Sequence, residues 1–149
     1  MQTLLHGRDL GTRHAARERL AEVGLDGGAT GAHDDAVMQV AERLGVRFLL
    51  ASGWADRNYE PRLQEPVDQV VQRTTDVASR WHGSSGGRLR VETAPLIPWG
   101  CSDDAMKSAT AASRTWGGGM HVHCAETSIE VEMNLGERGM RHVHWLDSL

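Results

Sequence analysis

Two imidazoles and a carboxylate lie close together in residues 121–126, HVHCAE. On a strand His121 and His123 point to the same side because side chains alternate with a period of two, and Glu126 follows just past the strand. A neutral imidazole is a good ligand for Zn²⁺ or Fe²⁺, and a carboxylate outside the coordination shell can move protons for a water that the metal activates. The pattern indicates a metal site, but it is short, and a core histidine with a helix-start carboxylate explains it about equally well.

The elements around this motif decide what it can face. Residues 120–125 read as a strand, preceded by a helix over about 103–116 with Ser102 as its N-cap. Thr127 and Glu130 form a capping box that opens the next helix. Because that helix has its own cap, Glu126 is free to face a ligand.

Helices and strands alternate along the rest of the chain. The hydrophobic pattern predicts helices over 12–25, 36–44 and about 65–81, a helical tail after residue 140, strands over 46–51 and 88–93, and a weak strand near 27–32. The GSSGG segment, residues 83–87, reads as a flexible connection. Such alternation predicts an α/β fold of parallel βα units, in which the carboxyl ends of the strands form one rim. The site is expected on that rim.

Composition excludes several classes of function. The chain has 149 residues with 16 Lys+Arg against 20 Asp+Glu, a net charge of −4, which disfavours nucleic-acid binding. No run approaches 18 apolar residues and no signal-peptide pattern is visible, so a cytoplasmic protein without a membrane span is expected. The two cysteines are too few for a disulfide framework.

The segments PLIPWGCSDDAM, MHVHCAETSIEVEM and GERGMRHVHWLDSL together resemble the amidohydrolase superfamily, over roughly residues 44–149. They are most similar to its branch of deaminases and chlorohydrolases that act on purines, pyrimidines and s-triazines. The resemblance implies an enzyme that hydrolyses a C–N or C–halogen bond of a nitrogen heterocycle. It also implies a divalent metal, zinc or iron, and a small heterocyclic substrate.

The resemblance assigns roles to individual residues. It makes His123 a metal ligand and Glu126 the proton shuttle, while His121 lines the pocket. Trp99, in the loop after the strand RLRVET, could stack on a flat heterocycle, with plain packing as the alternative. Cys101 and Cys124 are poor candidates for nucleophiles because no activating base is evident.

The resemblance also implies a fold, the (β/α)8 TIM barrel. About 30 residues make one βα unit, so residues 1–149 are expected to form a single partial barrel domain holding strands about 2 to 5. The family's other metal ligands have no counterpart here, and the chain alone is expected to be inactive, with open edges and possible homo-oligomerisation. Two alternatives remain at this point: a non-catalytic truncated remnant, and a flavodoxin-like α/β binding module in which HxH is incidental.

Overall fold

Parallel strands flanked by helices make up the part of the chain that the computed structural model describes, residues 33–149. The helix predicted over 12–25 and the weak strand near 27–32 lie outside the described residues. The elements, in chain order, are α1 (Asp34–Leu44), β1 (Phe48–Trp54), α2 (Val67–Trp81), β2 (Leu89–Pro95), α3 (Asp103–Thr115), α4 (Ser128–Arg138) and α5 (His142–Asp147). Short 3-10 turns cover Pro61–Leu63 and Pro98–Gly100, and a further turn covers Ser84–Gly87.

The helix ends follow the capping chemistry of the sequence. The Ser102 hydroxyl accepts a hydrogen bond from the Ala105 amide (3.2 Å) at the start of α3, as predicted. α1 and α4 end on Gly45 and Gly139, whose φ angles of 67° and 71° lie in the left-handed region that glycine adopts without strain. These caps set the helix boundaries, which lie within a few residues of the predicted ones.

Two predicted connections differ from the structure. α2 begins at Val67 with Pro66 as its N-cap, because the preceding residues form a separate 3-10 turn and a bridge between Ala55 and Gln64. The GSSGG segment forms a defined turn rather than a flexible linker, with Ser85, Gly86 and Gly87 at positive φ and the Gly87 amide bonded to Gly83 O (3.1 Å). In that turn the Ser85 hydroxyl donates to Glu42 Oε1 (2.8 Å).

β1 and β2 pair in parallel from Phe48 opposite Leu89 to Trp54 opposite Pro95. One face of this sheet is covered by helices. Two apolar clusters fill the space between the sheet and these helices. The first consists of Met38, Ala41, Leu50, Val77, Ala78, Leu89 and Val91, and the second of Trp54, Val70, Cys101, Ala105, Met106, Ala109 and Trp145. The buried Trp54 indole also donates to the Thr93 hydroxyl (3.0 Å), which joins the two strands through their side chains.

The prediction of a strand over residues 120–125 is wrong, because these residues do not form a continuous ladder of hydrogen bonds. The segment does run alongside β2. It forms one parallel bridge, between Thr93 and Met120. The Thr93 amide donates to Gly119 O (3.3 Å) and the His121 amide donates to Thr93 O (2.9 Å). The next donor of a parallel ladder would be residue 95, which is a proline and has no N–H. Pairing therefore stops there, and the His123 amide reaches Leu96 O instead (3.4 Å).

Candidate functional site

His121 and His123 lie on the face of the sheet opposite the helices. Met120 and Val122 pack against the second apolar cluster, so the alternating side chains of His121 and His123 project the other way. Both are exposed, and their rings meet edge to face with centroids 5.6 Å apart. The structure thus brings two imidazoles together beside the carboxyl end of β2.

Glu126 lies just before α4, with its side chain exposed. The predicted capping box is present: Thr127 Oγ1 accepts from the Glu130 amide (3.3 Å), and Glu130 Oε2 accepts from the Glu126 amide (3.0 Å). Capping uses the backbone of Glu126 and the carboxylate of Glu130. The Glu126 carboxylate therefore takes no part in the cap, as the sequence predicts.

The donor set fits part of a metal site. Two neutral imidazoles on one face are suitable ligands for a divalent metal, whereas a catalytic zinc site generally has three protein ligands. Among residues 33–149, no group of three or more His, Cys, Asp or Glu side chains could hold a metal ion. The described part of the chain supplies at most a pair of ligands.

Trp99 lies in the loop after β2 and is half-buried. Its ring packs against Tyr59, with centroids 5.4 Å apart and planes tilted by 38°. Its carbonyl accepts a hydrogen bond from the Asn58 amide group (3.4 Å). The His123 amide donates to Leu96 O, so the loop that carries Trp99 begins beside the histidine segment.

The loops that follow β1 and β2 are tied together at this rim. Asp56 accepts hydrogen bonds from the Ser102 amide (2.8 Å) and the Ser102 hydroxyl (2.6 Å). The amides of Asp56 and Arg57 both donate to Gly100 O (3.1 and 3.2 Å). These bonds join the β1 loop to the N-terminus of α3 and so hold the loop that carries Trp99.

Arg138 on α4 fastens the same loop from the other side, which sequence reasoning missed. Its guanidinium donates to the carbonyls of Pro98 and Cys101 (both 3.2 Å) and to Asp103 Oδ1 (3.2 Å). It also lies 4.0 Å from the centroid of the Trp145 ring. In the sequence Arg138 is only an arginine in the last turn of a predicted helix, and its partners in this loop lie 35 to 40 residues away.

A buried ionic cluster near the end of β1 was also missed. Arg73 donates to both carboxylate oxygens of Glu65 (3.1 Å each), to Asp34 (3.3 Å) and to the Ser52 hydroxyl (2.6 Å). Burial raises the pKa of the Asp34 carboxyl, although Ser52 and Arg73 act in the opposite direction. This cluster joins α1, the loop before α2, and β1.

Cys101 is completely buried, and loss of solvation raises the pKa of its thiol to about 12. Its sulfur contacts Trp54 O at 3.8 Å, so the structure agrees with the expectation that it is not a nucleophile. Cys124 is half-buried.

These two thiols should differ sharply in reactivity. At pH 8 a thiol with a pKa of about 12 is roughly 10⁻⁴ ionised, and thiolate is the reactive form. We expect a disulfide reagent to label Cys124 at least about 10³-fold faster than Cys101 in the folded protein. Cys124→Ser should remove the fast phase, and two equally fast labels would contradict the buried placement of Cys101.

His142, at the start of α5, is 2% exposed, and burial lowers the pKa of its imidazole. Glu130 favours the charged ring, whereas Arg138 disfavours it. A base with a lowered pKa contributes stability above its unfolded value, near 6.5, and that stability is lost as pH falls through the folded value.

We therefore expect the free energy of unfolding to fall between pH 7.5 and 5.5, with His142 contributing at most about 1.4 kcal/mol per pH unit. Urea unfolding of His142→Asn should show a flatter pH dependence than the parent. His144→Asn, at an exposed position of the same helix, is the matched control. An unchanged slope in His142→Asn would disprove this role.

Fold and rim together define an α/β protein with parallel strands and a cluster of polar side chains at their carboxyl ends. The amidohydrolase family model matches residues 24–149, so the chain belongs to the amidohydrolase family, whose relatives are named deaminases and hydrolases. It is 33% identical over 117 residues to 5-methylthioadenosine/S-adenosylhomocysteine deaminase 2 of Archaeoglobus fulgidus. That alignment covers 78% of this chain and 27% of the relative.

Solved structures share the fold. The zinc complex of atrazine chlorohydrolase from Arthrobacter aurescens TC1 superposes with a TM-score of 0.74 at 23% identity, covering 91% of this chain and 34% of that protein. Guanine deaminase of E. coli gives 0.69 at 19% identity, covering 79% and 28%. At these identities the likeness establishes the α/β architecture alone.

The chain spans about a quarter of the length of the curated relatives it matches. Among the described helices, none is both long and apolar enough to span a bilayer.

Proposed function

We propose that this chain supplies part of the catalytic rim of a metal-dependent hydrolase that acts on a C–N or C–halogen bond of a nitrogen heterocycle. The observation that carries the proposal is the pairing of exposed His121 and His123 at the rim, with a Glu126 carboxylate three residues later that takes no part in the α4 cap. Family membership and the deaminase relatives support this choice of reaction.

Each rim residue has a proposed role. His123 holds a divalent metal, and His121 lines the pocket beside it. Glu126 accepts a proton from the attacking water at its carboxylate and delivers it to the leaving group. When bound, a divalent cation supplies Lewis acidity and lowers the pKa of water. Zinc is favoured, because a solved neighbour is a zinc complex, and iron is the alternative.

Trp99 is proposed to contact the flat heterocycle. Its ring is half-buried against Tyr59, and its loop is held by Asp56 and Arg138. A fixed aromatic surface can orient a planar substrate at little entropic cost. The partner is a small heterocycle. The protein is also proposed to be cytoplasmic, to bind no nucleic acid and to form a homo-oligomer.

The segment is proposed to be part of a (β/α)8 barrel, within a single domain over residues 1–149 and holding strands about 2 to 5. β1, β2 and the run 119–123 are hydrogen-bonded in chain order and in parallel, as consecutive barrel strands are. The helix-free face with Leu49, Arg90, His121 and His123 corresponds to a barrel interior. A flavodoxin-like module is less well supported, because the chain belongs to the amidohydrolase family.

A non-catalytic remnant is the second candidate, favoured by the shortage of metal ligands in residues 33–149. A chimera separates the two. The matching 117-residue segment of the Archaeoglobus fulgidus deaminase is replaced by the aligned part of this chain. Zinc content and release of ammonia from 5′-methylthioadenosine are then measured. We expect a zinc-loaded, active chimera, whereas a folded chimera without metal or turnover would favour the remnant.

The chain alone should bind zinc weakly and show no turnover. Four-ligand sites bind Zn²⁺ with about 10–16 kcal/mol, so two imidazoles should give roughly half of that, a Kd on the order of 1 µM to 0.1 mM. Titration calorimetry should show further weakening in His121→Ala and in His123→Ala. His144→Ala, which removes an exposed histidine on α5, is the control. Binding that survives both rim variants would place the metal elsewhere.

A further inference from the structure

A cavity of about 230 Å³ lies at the amino-terminal ends of β1 and β2, away from the histidine rim. Its described lining consists of Arg47, Phe48, Leu49, Gly87, Arg88 and Arg90. Arg47 immediately precedes β1 and Arg88 immediately precedes β2, and the Phe48 amide donates to Arg88 O (2.9 Å). Leu49 pairs with Arg90 in the strand register. The strand pairing itself thus brings the three arginines to one place.

The charges of this cavity are not neutralised by its own walls. None of the described lining residues is acidic, although the chain as a whole carries a net charge of −4. The carboxylate of Glu42, near the end of α1, accepts a hydrogen bond from Ser85 (2.8 Å). Glu92, two residues beyond Arg90, places its carboxylate against Gly119. Three arginines therefore line one cavity without a counter-ion among the described lining residues.

Arg88 is already oriented by the fold. Its Nη1 donates to Gly45 O at 3.4 Å, which places this nitrogen beside the end of α1. Its Nε is buried and has no hydrogen-bond partner among the described residues. A buried donor without a partner is costly to the folded state.

We propose that this cavity is a binding site for a phosphate-bearing small anion. Guanidinium forks match the tetrahedral oxygens of phosphate in bidentate hydrogen bonds, and charge-assisted bonds of this kind are the strong ones. A water occupies about 30 Å³ in the liquid, so 230 Å³ admits a phosphate or pyrophosphate group. Phe48 and Leu49 supply the apolar part of the lining.

This site is separate from the proposed catalytic rim and does not depend on it. Arg88 lies five residues before Thr93, which bonds to His121, and five strand residues span about 16 Å. The anion would bind at the opposite end of the same strands. If the proposed hydrolase activity fails its test, the anion site is still open to test. If no anion binds, the proposed hydrolase activity is likewise unaffected.

Binding is tested with inorganic phosphate, pyrophosphate and AMP by titration calorimetry of the whole chain in low salt. We expect saturable binding of one anion per chain. AMP tighter than inorganic phosphate would identify a nucleotide as the source of the phosphate, and equal or weaker AMP would identify the free anion. Phosphate should also protect Arg88 from an arginine-specific dicarbonyl reagent, as read by peptide mass spectrometry.

Arg90→Gln removes one exposed guanidinium of the cavity and should weaken binding at least about fivefold. Arg47→Gln is the second variant, should the first fail to fold by circular dichroism. The matched control is Arg114→Gln, at an exposed position on α3. Non-saturable binding in the parent would overturn the proposal, as would equal affinity in both cavity variants or an equal loss in Arg114→Gln.

Discussion

Glu126→Gln in the chimera with the Archaeoglobus fulgidus deaminase is expected to lower kcat by on the order of 10² or more while zinc content stays unchanged. Glutamine keeps the size and polarity of the side chain but cannot accept a proton. The cap of α4 depends on Thr127 and Glu130, so this substitution leaves the helix start intact. A loss of activity would therefore report proton transfer rather than misfolding.

His123→Ala in the same chimera should lose metal and activity together, because the proposed ligand is gone. The two variants thus separate proton transfer from metal binding: one keeps the metal and the other does not. The His123 side chain is exposed in the described structure, and its removal creates no cavity in the core.

Glu132→Gln is the matched control for Glu126, since it changes an exposed carboxylate on α4 in the same way. Its kcat should stay within about twofold of the parent chimera. The shuttle assignment would be abandoned if Glu126→Gln kept kcat within a few fold, and Glu126 would then be a first-turn carboxylate with no catalytic part.

Local sequence signals were sufficient for the elements that carry the candidate rim. Ser102 and Thr127 were recognised as caps because a hydroxyl acceptor at an N-cap acts within three residues of its donor. The parallel pairing of β1 and β2 followed from the alternation of helix and strand patterns. These inferences succeed because the interactions behind them are local or repeat along the chain.

The strand over residues 120–125 shows where the hydrophobic pattern was insufficient. Its alternation is real, since Met120 and Val122 pack inward while His121 and His123 are exposed. The ladder stops because the partner strand ends in Pro95, which has no donor for it. Pro95 is visible in the sequence, but its effect on the ladder can be predicted only once residues 120–125 are known to pair with β2.

Long-range polar contacts could not be predicted from local patterns. Arg138 meets Pro98 and Asp103 across 40 and 35 residues, and Asp56 meets Ser102 across 46. A charged residue in a helix gives the same sequence signal whether it faces solvent or closes a loop. Partners of this kind emerge only after the helices have packed on the sheet.

Arg73→Leu is expected to destabilise the protein by about 3–5 kcal/mol at pH 7. The substitution leaves the Asp34 and Glu65 carboxylates, 12% and 9% exposed, without the guanidinium that both now contact. It also removes a short hydrogen bond to Ser52. The cost of burying unpaired charge exceeds any gain from the added apolar surface.

Arg80→Leu provides a control on the same helix with the same type of partner. Arg80 makes two hydrogen bonds to Asp35 (3.0 and 2.9 Å), but its side chain is 49% exposed and that of Asp35 is 47% exposed. Exposed pairs contribute about 0–1 kcal/mol because water solvates both charges after the pair is broken. Equal losses in the two variants would mean that burial does not set the strength of these pairs.

The pH dependence of the Arg73→Leu effect identifies its cause. Burial already raises the pKa of Asp34 in the parent, and loss of Arg73 should raise it further. A carboxyl with a raised pKa stabilises the folded state at low pH, and that contribution is lost as pH rises through its folded pKa. The difference in unfolding free energy between Arg73→Leu and the parent should therefore shrink as pH is lowered from 7 to about 4. Lost packing of the arginine stem would instead give a difference that does not change with pH.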